Sequence, residues 1–307
     1  MDSDLTLSLF FESWELFADS VLAGTIAGAV LGFLGVYIIL RRMVFLSAAL
    51  SQTAGLGVTL SYWGALQLGL TGIFASPTVG SAAATFGAVL VLSLLGERRG
   101  SRDGILGVVF LLGSAGSLIV GTQIVEELQD IQTLLFGTAV AVLPEDFHMV
   151  LGVAVVVTVI HLWWGSGFSA VALDAEGSRV RGMPTRVLEI GLLLTVALTI
   201  SVTTRVLGAL PVFGFSVLPA MAAIRLMPNV PRAMVVAAVI GAICGFGGYV
   251  LAFLYSLPVG AMQAMLGVAF VIVASGFGAI GSRLAGSRAG KGVEEGEGAP
   301  VANAARP

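Results

Sequence analysis

This chain has little of what soluble proteins and active sites are made from. Only 11% of its 307 residues are charged, against roughly 25% in an ordinary soluble domain. It has one cysteine and two histidines. The lone Cys244 can form no internal disulfide. With no HExxH and no nucleophile flanked by a base, the sequence gives no reason to expect an enzyme. Gly286, Gly290, Lys291 and Gly292 imitate a phosphate loop, but one residue between the glycines is missing, no Ser or Thr follows the lysine, and no strand precedes it. Any ATP used would be bound by another chain, and no cofactor is expected on this one. Met1 to Ser20 holds Asp2, Asp4, Glu12, Glu15 and Asp19 and no base, the reverse of a cleavable signal. Targeting is expected to come from the first helix, with residues 1–20 on the extracytoplasmic side.

What the chain has in abundance is apolar residues, at 57%. A hydrocarbon core of about 30 Å takes about 20 apolar residues per helical crossing. The apolar blocks are Val21 to Leu40, Leu46 to Leu66, Thr78 to Gly96, Ile105 to Gly121, Phe147 to Gly165, Val187 to Thr203, Val212 to Ile224, Ala233 to Leu254 and Val259 to Ile280. They predict an all-α fold: one polytopic transmembrane bundle over residues 21–282, with eight or nine helices, some interrupted. Residues 283–307, rich in Gly, Ala and Glu, are expected to form a disordered cytoplasmic tail.

The basic residues orient the bundle. Arg41 and Arg42, then Arg98, Arg99 and Arg102, then Arg179, Arg181 and Arg186, then Arg225 and Arg232, then Arg283, Arg288, Lys291 and Arg306 fall at alternate junctions. Fourteen of the fifteen bases therefore share one side, which is the cytoplasmic one. Nine crossings, N-terminus out and C-terminus in, satisfy this pattern and put Glu126, Glu127, Asp130, Glu145 and Asp146 outside. Arg205 alone breaks it, either snorkelling to the outer interface or pairing with an acid such as Asp130 or Glu145. The chain is thus expected in a cell membrane, the inner one in a Gram-negative cell, with lipid around it and no nucleic-acid partner.

Three stretches read as broken helices: Met43 to Ala75, Leu134 to Leu143, and Gly208 to Pro219. Interrupted backbone survives in a membrane only where protein or a watery path satisfies it, so these are candidates for a transport path, ordinary kinking being the alternative. Ser47, Ser51, Gln52 and Thr53 give the second helix a polar patch suited either to lining a path or to helix-to-helix hydrogen bonding. Glu145, Asp146 and His148 could receive a cation at the outer surface, or simply form a helix's first turn after Pro144. His161, beside Trp163 and Trp164, is expected at the inner interface. Gly24, Gly28 and Gly32, and later Gly241 and Gly245, make small-residue faces for close packing, within one bundle or between subunits.

The longest cytoplasmic insertion runs from Leu173 to Pro184. Asp174 can cap a short helix carrying Glu176, Arg179 and Arg181, which Gly182 and Pro184 would end. A short charged helix between two membrane helices suits docking on a soluble partner; a solvated turn is the plainer alternative.

These residues resemble a known family, the integral-membrane permeases of ATP-binding-cassette importers for zinc, manganese and iron. The Asp174 to Pro184 loop is similar to that family's cytoplasmic loop. Arg41, Arg42 and Met43, followed by Leu50 and Gly57, resemble its RRM segment. Leu135, Phe136 and Gly137 with Pro144, Glu145 and Asp146 resemble its LFG and PED stretch, and Leu218, Pro219 and Ala220 its LPA motif. The order and spacing hold from about residue 20 to 280. The resemblance implies a homodimeric permease that takes a divalent metal from an extracytoplasmic solute-binding protein and is driven by two ATPase subunits. Asp174 to Pro184 would be the helix that couples to them, and Pro219 would join Ser47, Ser51, Gln52 and Thr53 along the path. One departure bears on cargo. Where family members commonly carry an Asp and, four residues on, a His, this chain has Ala48 and Gln52, so its metal crosses without that pair or its cargo differs. An ion-driven secondary transporter and a non-transporting scaffold are the rival readings.

Overall fold

A computed structural model of the protein describes residues 7–95, 102–124 and 142–296. Among them lie nine helices long and apolar enough to cross a membrane, and each predicted apolar block falls in one of these, to within a residue. The bundle is all-α and multi-pass. In chain order the elements are α1 (Leu7–Glu12), α2 (Trp14–Leu40), α3 (Val44–Gln67), a 3-10 turn (Gly72–Ala75), α4 (Pro77–Leu95), α5 (Arg102–Gly121), α6 (Pro144–Leu173), α7 (Ala175–Val180), α8 (Thr185–Leu207), α9 (Ala209–Leu226), α10 (Val230–Tyr255) and α11 (Val259–Gly296).

Hydrophobicity selects these segments for the membrane but cannot bind them to one another, because lipid is as apolar as leucine. Close approach of small residues does that work. The most extensive contact in the bundle joins α2 and α10. There a Cβ on Gly28 would overlap the Gly241 carbonyl, one on Gly241 would overlap the Gly28 carbonyl, and one on Gly245 would overlap that of Gly24. The two glycine faces therefore pack against each other inside one chain. Gly57 of α3 and Gly80 of α4 make a second such crossing.

The N-terminal segment is anchored. Phe10 of α1 is fully buried, with ring contacts to Trp14, Phe17, Tyr249 and Phe253. Accordingly α2 begins at Trp14, seven residues before its apolar block. At the other end of the chain, α11 continues to Gly296, into the tail that begins at Arg283. Once formed, a helix adds residues at one hydrogen bond each, without a new nucleus. Residues 297–307 of that tail lie outside the described residues.

Of the three expected interruptions, the first is present: α3 ends at Gln67, and Gly69 and Gly72, both at φ 64°, turn the chain into the 3-10 segment. Most of the second, Leu134 to Leu143, lies outside the described residues. The third is corrected. The break sits at Gly208 alone, with φ 93° and ψ 163°, and α9 runs unbroken through Pro219. The Pro219 ring lies against Gly32 of α2, where the missing side chain makes room for it.

Candidate functional site

The Leu173 to Pro184 insertion folds as its residues dictate. Asp174 is extended (φ −150°, ψ 91°), and its Oδ1 accepts the Gly177 N–H at 2.9 Å, capping α7. Any side chain at position 177 would collide with that carboxylate. At the far end the Gly182 N–H donates to the Arg179 carbonyl and the Met183 N–H to the Ser178 carbonyl, with Gly182 at φ 76°. This paired closure requires a left-handed residue just past the helix, which glycine adopts freely. Ser178 is fully buried, and Arg181 clips back onto the Gly177 carbonyl at 3.2 Å. Glu176, Arg179 and Val180, spaced i, i+3, i+4, share a face and are exposed, Val180 at 88%. Pro184 then starts α8, whose first residue, Thr185, is buried. One side of α7 is thus fixed to the bundle and the other offers an apolar tip between charges. Asp174→Ala should cost about 1 kcal/mol of local stability and Gly182→Ala about 1–2 kcal/mol. Faster amide exchange over Ala175–Val180, with α8 unaffected, checks both.

The path candidates on α3 are interior. Ser47 and Ser51 are fully buried, Thr53 nearly so, and Gln52 half-buried. Their hydroxyls donate within their own helix: Ser47 to the Val44 carbonyl at 2.9 Å, Ser51 to Ser47 at 2.8 Å, Thr53 to Ala49 at 2.7 Å. In this arrangement the three hydroxyls are thus satisfied within α3 itself. α5 lies directly on this backbone, since a Cβ at Gly113 would be 2.7 Å from the Gln52 carbonyl carbon. Ala48 is buried.

A larger hydroxyl set was missed. On α8, Thr195, Thr199, Ser201, Thr203 and Thr204 are all buried. Ser81 of α4 donates to the Ser201 carbonyl at 2.8 Å, linking the two helices. The hydroxyls of Ser117, Ser201 and Thr204 are buried without a partner. The signal was in the sequence: Thr195, Thr199 and Thr203 recur every fourth residue through an apolar run.

At the side that the charge pattern predicts to be outer, Glu145 and Asp146 lie in the first turn of α6 behind Pro144. Arg205 pairs with Asp146, Nη2 to Oδ1 at 2.9 Å, and Nη1 donates to the Thr78 hydroxyl. Of the two expectations, snorkelling and pairing with an acid such as Asp130 or Glu145, pairing is the one seen, and the acid is Asp146; Asp130 lies outside the described residues. Exposed His148 turns Nδ1 to the Pro144 carbonyl at 2.5 Å. Among the described residues no three His, Cys, Asp or Glu gather as a metal would need. His161 faces into the bundle: it is 4% exposed, against Phe33, Tyr37 and Phe168 at 5.5, 5.5 and 4.9 Å between ring centroids. At the opposite end of α8, Arg41 pairs with Glu189.

Comparison with known proteins agrees with this architecture. A probable metal transport system membrane protein of Chlamydia trachomatis is 26% identical over 252 residues, 80% of this chain and 84% of the relative. A manganese transport system membrane protein, MntC, of Listeria monocytogenes is 24% identical over 270 residues, 87% and 93% of the two chains. In a solved structure, PsaBC from Streptococcus pneumoniae in complex with Fab, one chain shares the fold with a TM-score of 0.76 at 19% identity, covering 88% of this chain and 95% of its own. Residues 13–278, nearly the whole described bundle, match the ABC 3 transport family, and the chain belongs to that family.

Proposed function

We propose that this chain is the permease of an ATP-driven importer of a divalent metal, with zinc, manganese and iron as the cargo candidates. The observation that carries the reading is α7: a capped, anchored six-residue helix on the arginine-rich side, presenting Glu176, Arg179 and Val180 between α6 and α8. In a family of ABC permeases, such a helix is suited to sit in a groove of a cytoplasmic ATPase. That ATPase would bind the ATP, a second copy of the permease would complete the assembly, and an extracytoplasmic solute-binding protein would deliver the cargo. Nucleotide binding would draw the ATPases together, move α7, and switch the side to which the path opens. The names of the relatives from C. trachomatis and L. monocytogenes, for metal and for manganese, support a metal cargo.

A narrower reading of cargo has its own support. With Ala48 and Gln52 at the family's Asp and His positions and no metal-ligating cluster among the described residues, hydroxyls dominate the polar interior. Oxygen donors suit harder ions, or a metal that keeps its own ligands, better than bare zinc. The test is ATP hydrolysis by the reconstituted complex over zinc, manganese, iron and a metal-free control. Stimulation several-fold above control by at least one metal is expected, with manganese or iron ahead of zinc. A flat response to every metal would redirect the search to non-metal cargo.

A further inference from the structure

α8 begins four residues after α7 and is held by an ion pair near each end. Glu189 meets Arg41 on the inner side, and Arg205 meets Asp146 on the outer side. At 23 residues it spans about 35 Å, so a displacement of α7 reaches the outer surface through one continuous helix.

The outer attachment is the unusual one. Arg205 is the single base that the charge pattern places outside. Its guanidinium ties three helices: α8, which carries it; α6, through Asp146 at 2.9 Å; and α4, through the Thr78 hydroxyl. One turn below, the Ser201 carbonyl accepts from Ser81 of α4, while the hydroxyls of Ser201 and Thr204 are buried without partners. A buried hydroxyl left without a partner is destabilising. In this arrangement the Ser201 hydroxyl, one turn below the three-helix tie, and the Thr204 hydroxyl, next to Arg205 in the chain, lack partners that an arrangement open to water or cargo would supply.

We infer that Arg205 is the outer latch of the permease: its contacts with Asp146 and Thr78 hold α4, α6 and α8 closed, and movement of α7 releases them through α8, exposing Ser201 and Thr204. Arg205 acts here as a positioning residue. The inference rests on the reading that α7 receives the ATPase stroke.

The test uses the full complex in proteoliposomes, with the sole cysteine removed by Cys244→Ala and Ser201→Cys as reporter. A membrane-impermeant thiol reagent is added outside without ATP. With Arg205 in place labelling is expected to be slow. Arg205→Gln should speed it about tenfold, the equivalent of about 1.4 kcal/mol, and Thr78→Ala should speed it less. Exchanging the charges, Arg205→Asp with Asp146→Arg, should restore slow labelling. Without the cysteine reporter, Arg205→Gln should keep hydrolysing ATP while manganese uptake per ATP falls several-fold. Equal labelling rates would overturn the latch, and so would uptake and hydrolysis falling in proportion, as for a static brace. If the unaltered complex takes up no manganese, the choice of cargo fails, but the labelling comparison still decides the latch.

Discussion

Gly28→Val or Gly241→Val should abolish recovery of folded permease, because each places a side chain inside a backbone carbonyl of the facing helix. Neither α2 nor α10 can yield. Gly24 faces Gly245 and Gly32 faces Ala237 along the same seam, so one helix must move away from the other over its whole length. Ordinary overpacking costs about 1–3 kcal/mol at one site, and forcing the helices apart spreads the loss along the whole seam, against the about 5–15 kcal/mol that commonly holds a fold together. The measurement is the monodisperse fraction after detergent extraction. Gly87→Ala and Gly152→Ala serve as controls, since a Cβ there meets nothing within 4 Å, and both should be recovered normally. Recovery of Gly28→Val at the level of those controls would mean that the α2–α10 seam is not as described.

Uptake should fall by at least about tenfold when Glu176 and Arg179 are both changed to Ala, or when Val180 is changed to Asp, with thermal stability of the purified permease kept. Central interface residues cost about 2 kcal/mol or more on truncation, about thirtyfold in affinity. Val180 is 88% exposed on a helix otherwise anchored to the bundle, so replacing it removes nothing from the core. Loss of the co-purifying ATPase, together with loss of uptake, is the expected pair of results. Undiminished uptake in both variants would remove α7 from the coupling role.

How much of this was legible in the sequence depended on whether a feature is local. Hydropathy marked all nine spans because burial in lipid acts residue by residue. The α7 caps were legible because Asp174 before the short helix, and Gly182 with Pro184 after it, act within about one turn of helix. Contacts between distant segments were not legible. Arg205 could be assigned to an acid in general, but choosing Asp146 over Glu145 needs the rotation of α6 against α8. Trp163 and Trp164 gave His161 an expected depth but not the face it presents. Two residues are about 200° apart on a helix, so exposed Trp163 puts His161 on the opposite, buried face. Pro219 read as a break because proline removes a hydrogen bond, yet the glycine opposite it, which accommodates its ring, lies on another helix. The roles of Glu145, Asp146 and His148 and of the α3 hydroxyls rest on cargo, which local patterns do not specify.

The seam between α2 and α10 also limits how the molecule can work. Two helices touching carbonyl to glycine have no cushion of side chains through which to slide, so they behave as a single stiff plank. If transport proceeds as proposed, movement falls to the helices around that plank, and α8, held near each end by an ion pair that can part and re-form, would be the moving beam. Stroke and stator would thus be divided within one chain, so a small push from the cytoplasm need not deform the whole bundle to be felt on the far side.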